Sequence, residues 1–189
     1  HFPRRGFLGK GMVVSVDKYT AVKMYDKVQH YWAIEKQNIM RERNAATTRE
    51  ERDQLTRILA YMNKVEMAVI VSEENDEEAK FAKQGLNISE HRAKMKKITP
   101  DGKDIEDRFK DPDDSLQLVF VCAMWLTGFD VKNLSTLYLD KPMKGHTLMQ
   151  AIARANRVYP GKPAGIIVDY VNVFKYMKKA LSEYATGND

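Results

Sequence analysis

A chain of 189 residues with 43% hydrophobic content can close one core of ordinary domain size, and no apolar run approaches the roughly 20 residues that a membrane span needs. The single cysteine, Cys122, excludes an internal disulfide and a cysteine-rich zinc site and points to a reducing, cytoplasmic setting, and residues 1–11 lack the apolar stretch of a signal peptide. A net charge of +5 admits nucleic acid, acidic membranes or phosphorylated ligands as partners without choosing between them.

In chain order, residues 11–16 (GMVVSV) form a short β-branched run that reads as a buried strand. Residues 18–32 follow with Ala21, Met24, Tyr25, Val28 and Tyr31 or Trp32 at helical spacing. A second helix is predicted over 47–63, with Thr47 or Thr48 as its cap, Glu50 and Glu51 in its first turn, and an apolar stripe of Leu55, Ile58, Leu59 and Met62. The charged stretch 33–63 has the character of a helical insertion. Residues 66–72 (EMAVIVS) are a second strand, closed by the acidic run 73–78. Across 78–97 the pattern predicts a helix broken at Gly85 and Asn87, then a mobile basic segment, 91–97 (HRAKMKK), that either tracks a phosphate backbone or is simply solvated.

The second half is sharper. After a short helix at 104–110 and a DPDDS turn at 111–115, three apolar strands are predicted: 117–123, 135–140 and 164–170. A helix over 147–158 lies between the last two, and a closing helix is predicted over 173–185. Continuous apolar strands alternating with amphipathic helices indicate an α/β fold: a mainly parallel sheet with helices on both faces.

In open parallel sheets ligands bind beyond the carboxyl ends of the strands, which directs attention to two loops, 125–130 (WLTGFD) and 141–146 (KPMKGH). The helix after the second loop has a telling wheel. At about 100° per residue, Gln150, Arg154 and Arg157 share one face, opposite Leu148, Ile152, Ala155 and Tyr159. Residues 141–168 contain no carboxylate, so these guanidiniums have no local partner. Guanidinium matches phosphate oxygens in bidentate fashion and keeps its charge. Two arginines at this spacing also describe an ordinary solvated face, and spacing alone does not choose between the readings. Cys122, inside an apolar strand, is expected to be buried and inert, and Asp169 to be structural. The histidines are scattered and show no metal-ligand spacing.

The combined string WLTGFD (125–130), LYLDKPMKGH (137–146), LMQAIARANR (148–157) and GIIVDY (165–170) resembles the restriction subunit of type I restriction-modification enzymes, closely over about 111–173 and more loosely elsewhere. These motors belong to superfamily 2 of helicases and translocases. The resemblance implies that residues 1–189 are the second RecA-like motor domain, a fragment of a larger subunit. Gln150, Arg154 and Arg157 match the motif whose arginines reach the γ-phosphate of ATP. Arg154 and Arg157 are then the catalytic arginine fingers, and Gln150, Gly128 and Asp130 contact or couple to the nucleotide. Thr127, Lys141 and Lys144 are assigned to nucleic-acid coupling. Two positions depart from the family pattern: Cys122 and Ala123 precede the Met-Trp-Leu-Thr run, and Lys132 replaces the usual proline.

No GxxxxGK[ST] phosphate loop and no magnesium-binding Asp-Glu pair is present, so the resemblance places ATP and Mg²⁺ mainly on a first RecA-like domain that this chain lacks. The implied function is ATP-driven translocation on double-stranded DNA coupled to cleavage, within an ATP-dependent site-specific deoxyribonuclease. The implied partners are duplex DNA, the subunit's own first RecA-like and nuclease domains, and the modification and specificity subunits, with no membrane. The fragment alone is expected to be inactive. The rivals are another superfamily 2 DNA translocase and a non-enzymatic DNA-binding module. A dinucleotide-binding domain is disfavoured because no GxGxxG opens a helix.

Overall fold

The computed structural model of the chain describes residues 9–126, 128–143, 145–160, 162, 164–175, 178, 179 and 182. Five strands, β1 (Lys10–Ser15), β2 (Glu66–Ile70), β3 (Leu116–Val121), β4 (Leu134–Asp140) and β5 (Ile166–Asp169), form one sheet in the order β2-β3-β1-β4-β5. Every neighbouring pair is parallel. Among the described residues the helices that accompany it are α1 (Lys18–Ala45), α2 (Arg49–Lys64), α3 (Glu77–Ala82), α4 (Ser89–Lys96), α5 (Ile105–Lys110) and α6 (Gly145–Ala155). The fold is α/β and RecA-like.

Side chains alternate across each strand, and the alternation builds two cores. Met12, Val14, Ala68, Ile70, Val119 and Val121 face α5, α6 and the β3–β4 connection, where Phe109, Leu148, Ala151 and Ala155 are buried. Val13, Met67, Val69, Leu118 and Phe120 face α1 and α3, burying Ala21, Val22 and Phe81. With both faces covered, the strands have no polar side, which is why they read as continuous apolar runs.

Helix starts follow local chemistry. Asp17, Thr48 and Asp104 each accept a hydrogen bond from the backbone amide three residues on, at 2.7, 3.2 and 2.8 Å, satisfying donors that a helix leaves open. Helix α1 is longer than the periodicity of 18–32 predicts. Its second half contains no glycine or proline, and it is held by α2: Ile39, Leu59 and Met62 form a separate small core, Trp32 Nε1 donates to the Met62 carbonyl, and Arg52 donates to the Ala46 carbonyl. The pairs Trp32–Met62 and Ala46–Arg52 make the two helices antiparallel.

The basic segment expected to be mobile is α4, and it is anchored. Arg92 turns inward, Nε and Nη2 donating to the two Glu77 carboxylate oxygens at 2.5 and 2.6 Å, with further bonds to the Val71 and Ser72 carbonyls. This buried pair holds the Glu77 carboxyl below its ordinary range, the Arg92 hydrogen bond outweighing desolvation. Arg92 closes the β2 end of the sheet and is not available to a phosphate backbone.

Other boundaries shift slightly. Strand β5 is shorter than predicted, and α6 starts two residues earlier and ends at Ala155. Most of the closing helix predicted over 173–185 lies outside the described residues. Among the described residues no helix is long and apolar enough to cross a membrane.

Candidate functional site

The connection between β3 and β4 carries the WLTGFD string and is shaped from within. Trp125 takes a left-handed φ of 65°, an unusual position for a bulky residue, and Gly128 takes φ 73°. The two reversals turn Trp125, Leu126 and Phe129 into the core. Trp125 stacks on Phe129 with centroids 4.2 Å apart, and on Phe109 of α5 at 5.6 Å. The apolar half of the loop is thereby fixed to the domain, while Gly128 and Asp130 face solvent. Trp125 holds a backbone conformation of the kind that persists only where surrounding packing over-determines it, which the aromatic stack supplies.

Helix α6 buries Leu148, Ala151 and Ala155 and leaves Gln150 and Arg154 half-buried on its other side. Arg157 lies just past the helix, in a last turn closed by its amide on the Arg154 carbonyl at 3.4 Å. Its Nη1 forms an ion pair with the Asp130 carboxylate. Among the described residues Arg154 has no counterpart of that kind: its Nε is buried without a hydrogen-bond partner. Burial lowers the Arg154 pKa first and the neighbouring Arg157 charge lowers it further, with Asp130 opposing both. Two guanidiniums and one carboxylate therefore share this corner, a local excess of positive charge with an unmet donor. Such an arrangement accepts an anion.

The corner does not lie beyond the carboxyl ends of the strands, where the sequence places the site. Gly165 precedes β5, and a Cβ there would sit 2.1 Å from the Ala155 carbonyl oxygen, so the end of α6 is pressed against the amino-terminal end of β5. Asp130 is four residues before β4 begins. Asp130, Arg154 and Arg157 thus gather towards the amino-terminal side of the sheet. Helix α6 starts at the carboxyl edge and descends, and its arginines sit in the last turn. Lys141 stays at the carboxyl edge, where its Nζ donates to the Cys122 carbonyl at 3.2 Å. The structure brings Asp130, Arg154 and Arg157 together, places Gln150 one turn above them, and separates Lys141 from them. Thr127 and Lys144 lie outside the described residues.

Two further points revise or extend the sequence reading. Cys122 is half-buried just past β3, its thiol facing the Val16 carbonyl at 3.6 Å, so it is not an interior strand residue. Asp169 is a cap: its carboxylate accepts from the Val171 and Phe174 amides at 3.0 and 2.8 Å. Burial would raise its pKa, but the bonds from the amides of residues 171–174 prevail and hold it below the ordinary aspartate range. Sequence reasoning missed Gly165 as the residue that seats α6, and missed Asp130 as the counter-charge of Arg157. No spacing rule links positions 130 and 157; only a glycine directly before an apolar strand hints at close backbone approach. Among the described residues no group of three or more His, Cys, Asp or Glu is arranged to hold a metal ion.

Fold and site together define a RecA-like α/β domain that presents an arginine-rich corner on the flank of its sheet. The family model "Type I restriction enzyme subunit R domain 3" matches residues 10–172, and the chain belongs to that family. The putative type I restriction enzyme MjaIXP endonuclease subunit of Methanocaldococcus jannaschii is 34% identical over 188 residues, covering 98% of this chain and 14% of that protein. The type I restriction enzyme HindI endonuclease subunit of Haemophilus influenzae is 57% identical over 83 residues, covering 42% of this chain and 8% of that protein. A Staphylococcus aureus relative, the SauCOLORF180P endonuclease subunit, is 44% identical over 78 residues, covering 41% of this chain and 8% of that protein. The chain therefore corresponds to a small part of the length of these relatives. It is a domain of a type I restriction enzyme R subunit.

Proposed function

We propose that this chain is the second RecA-like motor domain of its R subunit and supplies Arg154 and Arg157 to an ATP molecule held mainly by a preceding RecA-like domain. The observation that carries this reading is the corner itself: Arg154 with a buried, unpartnered Nε beside Arg157, with Asp130 as the one carboxylate paired to either of them among the described residues. The residues fit a triphosphate in chemical kind, since planar cationic donors match phosphate oxygens. When bound, ATP supplies the phosphoryl group whose transfer to water releases the energy for movement on DNA.

The chain's own groups divide the work. Arg154 is held by α6 and pre-aimed, because its helix is fixed by Leu148, Ala151 and Ala155 in the core. Arg157 rests on Asp130 and exchanges that carboxylate for a phosphate oxygen. Gln150 orients the nucleotide from one turn above. Gly128, Asp130 and Thr127 link the corner to the rest of the β3–β4 loop, and Lys141 and Lys144 serve the DNA side. The charge that develops on the transferred group in the transition state is stabilised by the two guanidiniums. In the intact subunit this domain takes part in ATP-dependent translocation on double-stranded DNA and so in cleavage, alongside nuclease, modification and specificity components. Mg²⁺ belongs to the domain that holds the ATP.

The test is Arg157→Ala in the intact subunit, read as DNA-stimulated ATPase. The expected result is a fall in kcat of about 10³-fold, with a much smaller change in DNA affinity. ATPase at the parent level removes the finger assignment.

A further inference from the structure

Helix α1 carries a second surface that the nucleotide corner does not use. Its 28 residues span about 42 Å, whereas a six-residue strand spans about 20 Å. Its first half packs on the sheet through Ala21, Val22, Tyr25, Val28 and Trp32, and beyond Trp32 its buried contacts are with α2. The α1–α2 hairpin therefore projects from the domain. Between residues 18 and 64 there are ten Lys and Arg against six Asp and Glu, a net +4 out of the chain's +5.

That charge is arranged. At about 100° per residue, Lys23, Lys27, Tyr31, Ile34 and Arg41 form one line along α1, diametrically opposite the face that packs on the sheet and on α2. All five are exposed, Tyr31 at 66% and Ile34 at 39%. His30 and Gln37 stand exposed alongside. The helix's three carboxylates, Asp26, Glu35 and Glu42, fall on the flanks, about 60–100° away. Among the described residues none of Lys23, Lys27 and Arg41 forms an ion pair. A line of unpaired cations interleaved with donor side chains and an exposed aromatic, free of carboxylates over about 27 Å, is complementary to a polyanion. It is as long as about eight base pairs of B-DNA, at 3.4 Å each.

We infer that this outer stripe of α1 is a second contact for the phosphate backbone of duplex DNA, separate from the sheet-edge residues and independent of base sequence. The inference rests on the proposed reading only in that the intact subunit works on duplex DNA. Backbone neutralisation of this kind positions a protein without reading bases.

The experiment measures binding of the 189-residue chain to a labelled 30-base-pair duplex by fluorescence anisotropy over a range of salt, for the parent and for K23A/K27A/R41A, with circular dichroism and thermal melting as controls of folding. Three lost phosphate contacts reduce the slope of log K against log salt by about 2 to 3, and affinity at low salt falls at least tenfold while the melt is unchanged. The charge-retaining K23R/K27R/R41K variant binds as the parent does. Equal affinity and slope in parent and alanine variant overturn the inference, as does a parent chain with no salt-dependent duplex binding. Hydrogen-exchange protection of residues 27–38 in the intact subunit without DNA assigns the face to a neighbouring protein surface and also overturns it. The ATPase of Arg157→Ala reads the nucleotide corner alone, so either result can fail while the other stands.

Discussion

At the scale of single residues, the informative groups are charges whose setting is fixed by partners remote in the chain. Asp130 is the counter-charge that lets Arg157 sit beside Arg154, and its removal leaves two like charges facing each other. Asp130→Asn in the intact subunit is expected to lower kcat of the DNA-stimulated ATPase by up to about 10²-fold through misplacement of Arg157, with Asp130→Glu restoring part of it; a kcat unchanged in the Asn variant shows that Asp130 does not position the guanidinium. Lys10 is a different case. It is 1% exposed at the start of β1, its Nζ donates to the Arg108 carbonyl at 2.8 Å, and desolvation brings its pKa down to about 8 despite the opposing pull of Asp114 and Asp111. The unfolded chain keeps the ordinary value near 10.5, so between pH 8 and 10.5 the unfolded state binds more protons and stability rises with pH. The gain across that window is up to about 3 kcal/mol. Urea unfolding at pH 7 to 10 is expected to show the rise in the parent and a flatter profile in Lys10→Met. Neither role was legible in the sequence, because both depend on partners far along the chain: Asp130 lies 27 residues from Arg157, and Lys10 lies 98 from Arg108.

At the scale of elements, α6 shows how a helix can be legible while its setting is not. Its amphipathic wheel gives the buried Leu148, Ala151 and Ala155 and the outward Gln150 and Arg154 directly. The wheel carries no information on which end of the sheet the arginines reach. That is decided by Gly165, whose missing Cβ lets the Ala155 carbonyl close on the strand. Gly165→Ala is expected to cost about 1–3 kcal/mol, seen as a lower melting temperature, and to impair ATPase in the intact subunit by lifting the last turn of α6; a variant as stable as the parent shows that the backbone gives way freely there. The strands were legible for a simple reason: buried on both faces, they have no polar side to confuse the pattern. Helices α1 and α4 were read less well. Beyond Trp32 the buried contacts of α1 among the described residues are with α2, so its apolar signal thins to Ile39 within a charged run. Helix α4 looks like a solvated basic segment until Glu77, 15 residues away, gives Arg92 a buried partner.

At the scale of the whole molecule, the chain is a domain of a larger kind of subunit that presents charge at distinct places. It has no phosphate loop in its sequence, and it covers 14% of a relative that matches it over nearly its full length. Its cationic features divide between two places, the corner of Arg154 and Arg157 on the flank of the sheet and the outer line of α1, with Lys141 at the carboxyl edge. Under the proposed reading, a domain that meets both a nucleotide and DNA needs separate surfaces for the two, and these two places are the ones proposed for them. The most direct measurement is the structure of the intact R subunit with duplex DNA and a transition-state analogue of ATP hydrolysis. It is expected to show the Arg154 and Arg157 guanidiniums within hydrogen-bond distance of the γ-phosphate position, with Arg157 released from Asp130. A bound nucleotide with Arg157 still paired to Asp130 and Arg154 turned away from the phosphates contradicts the account.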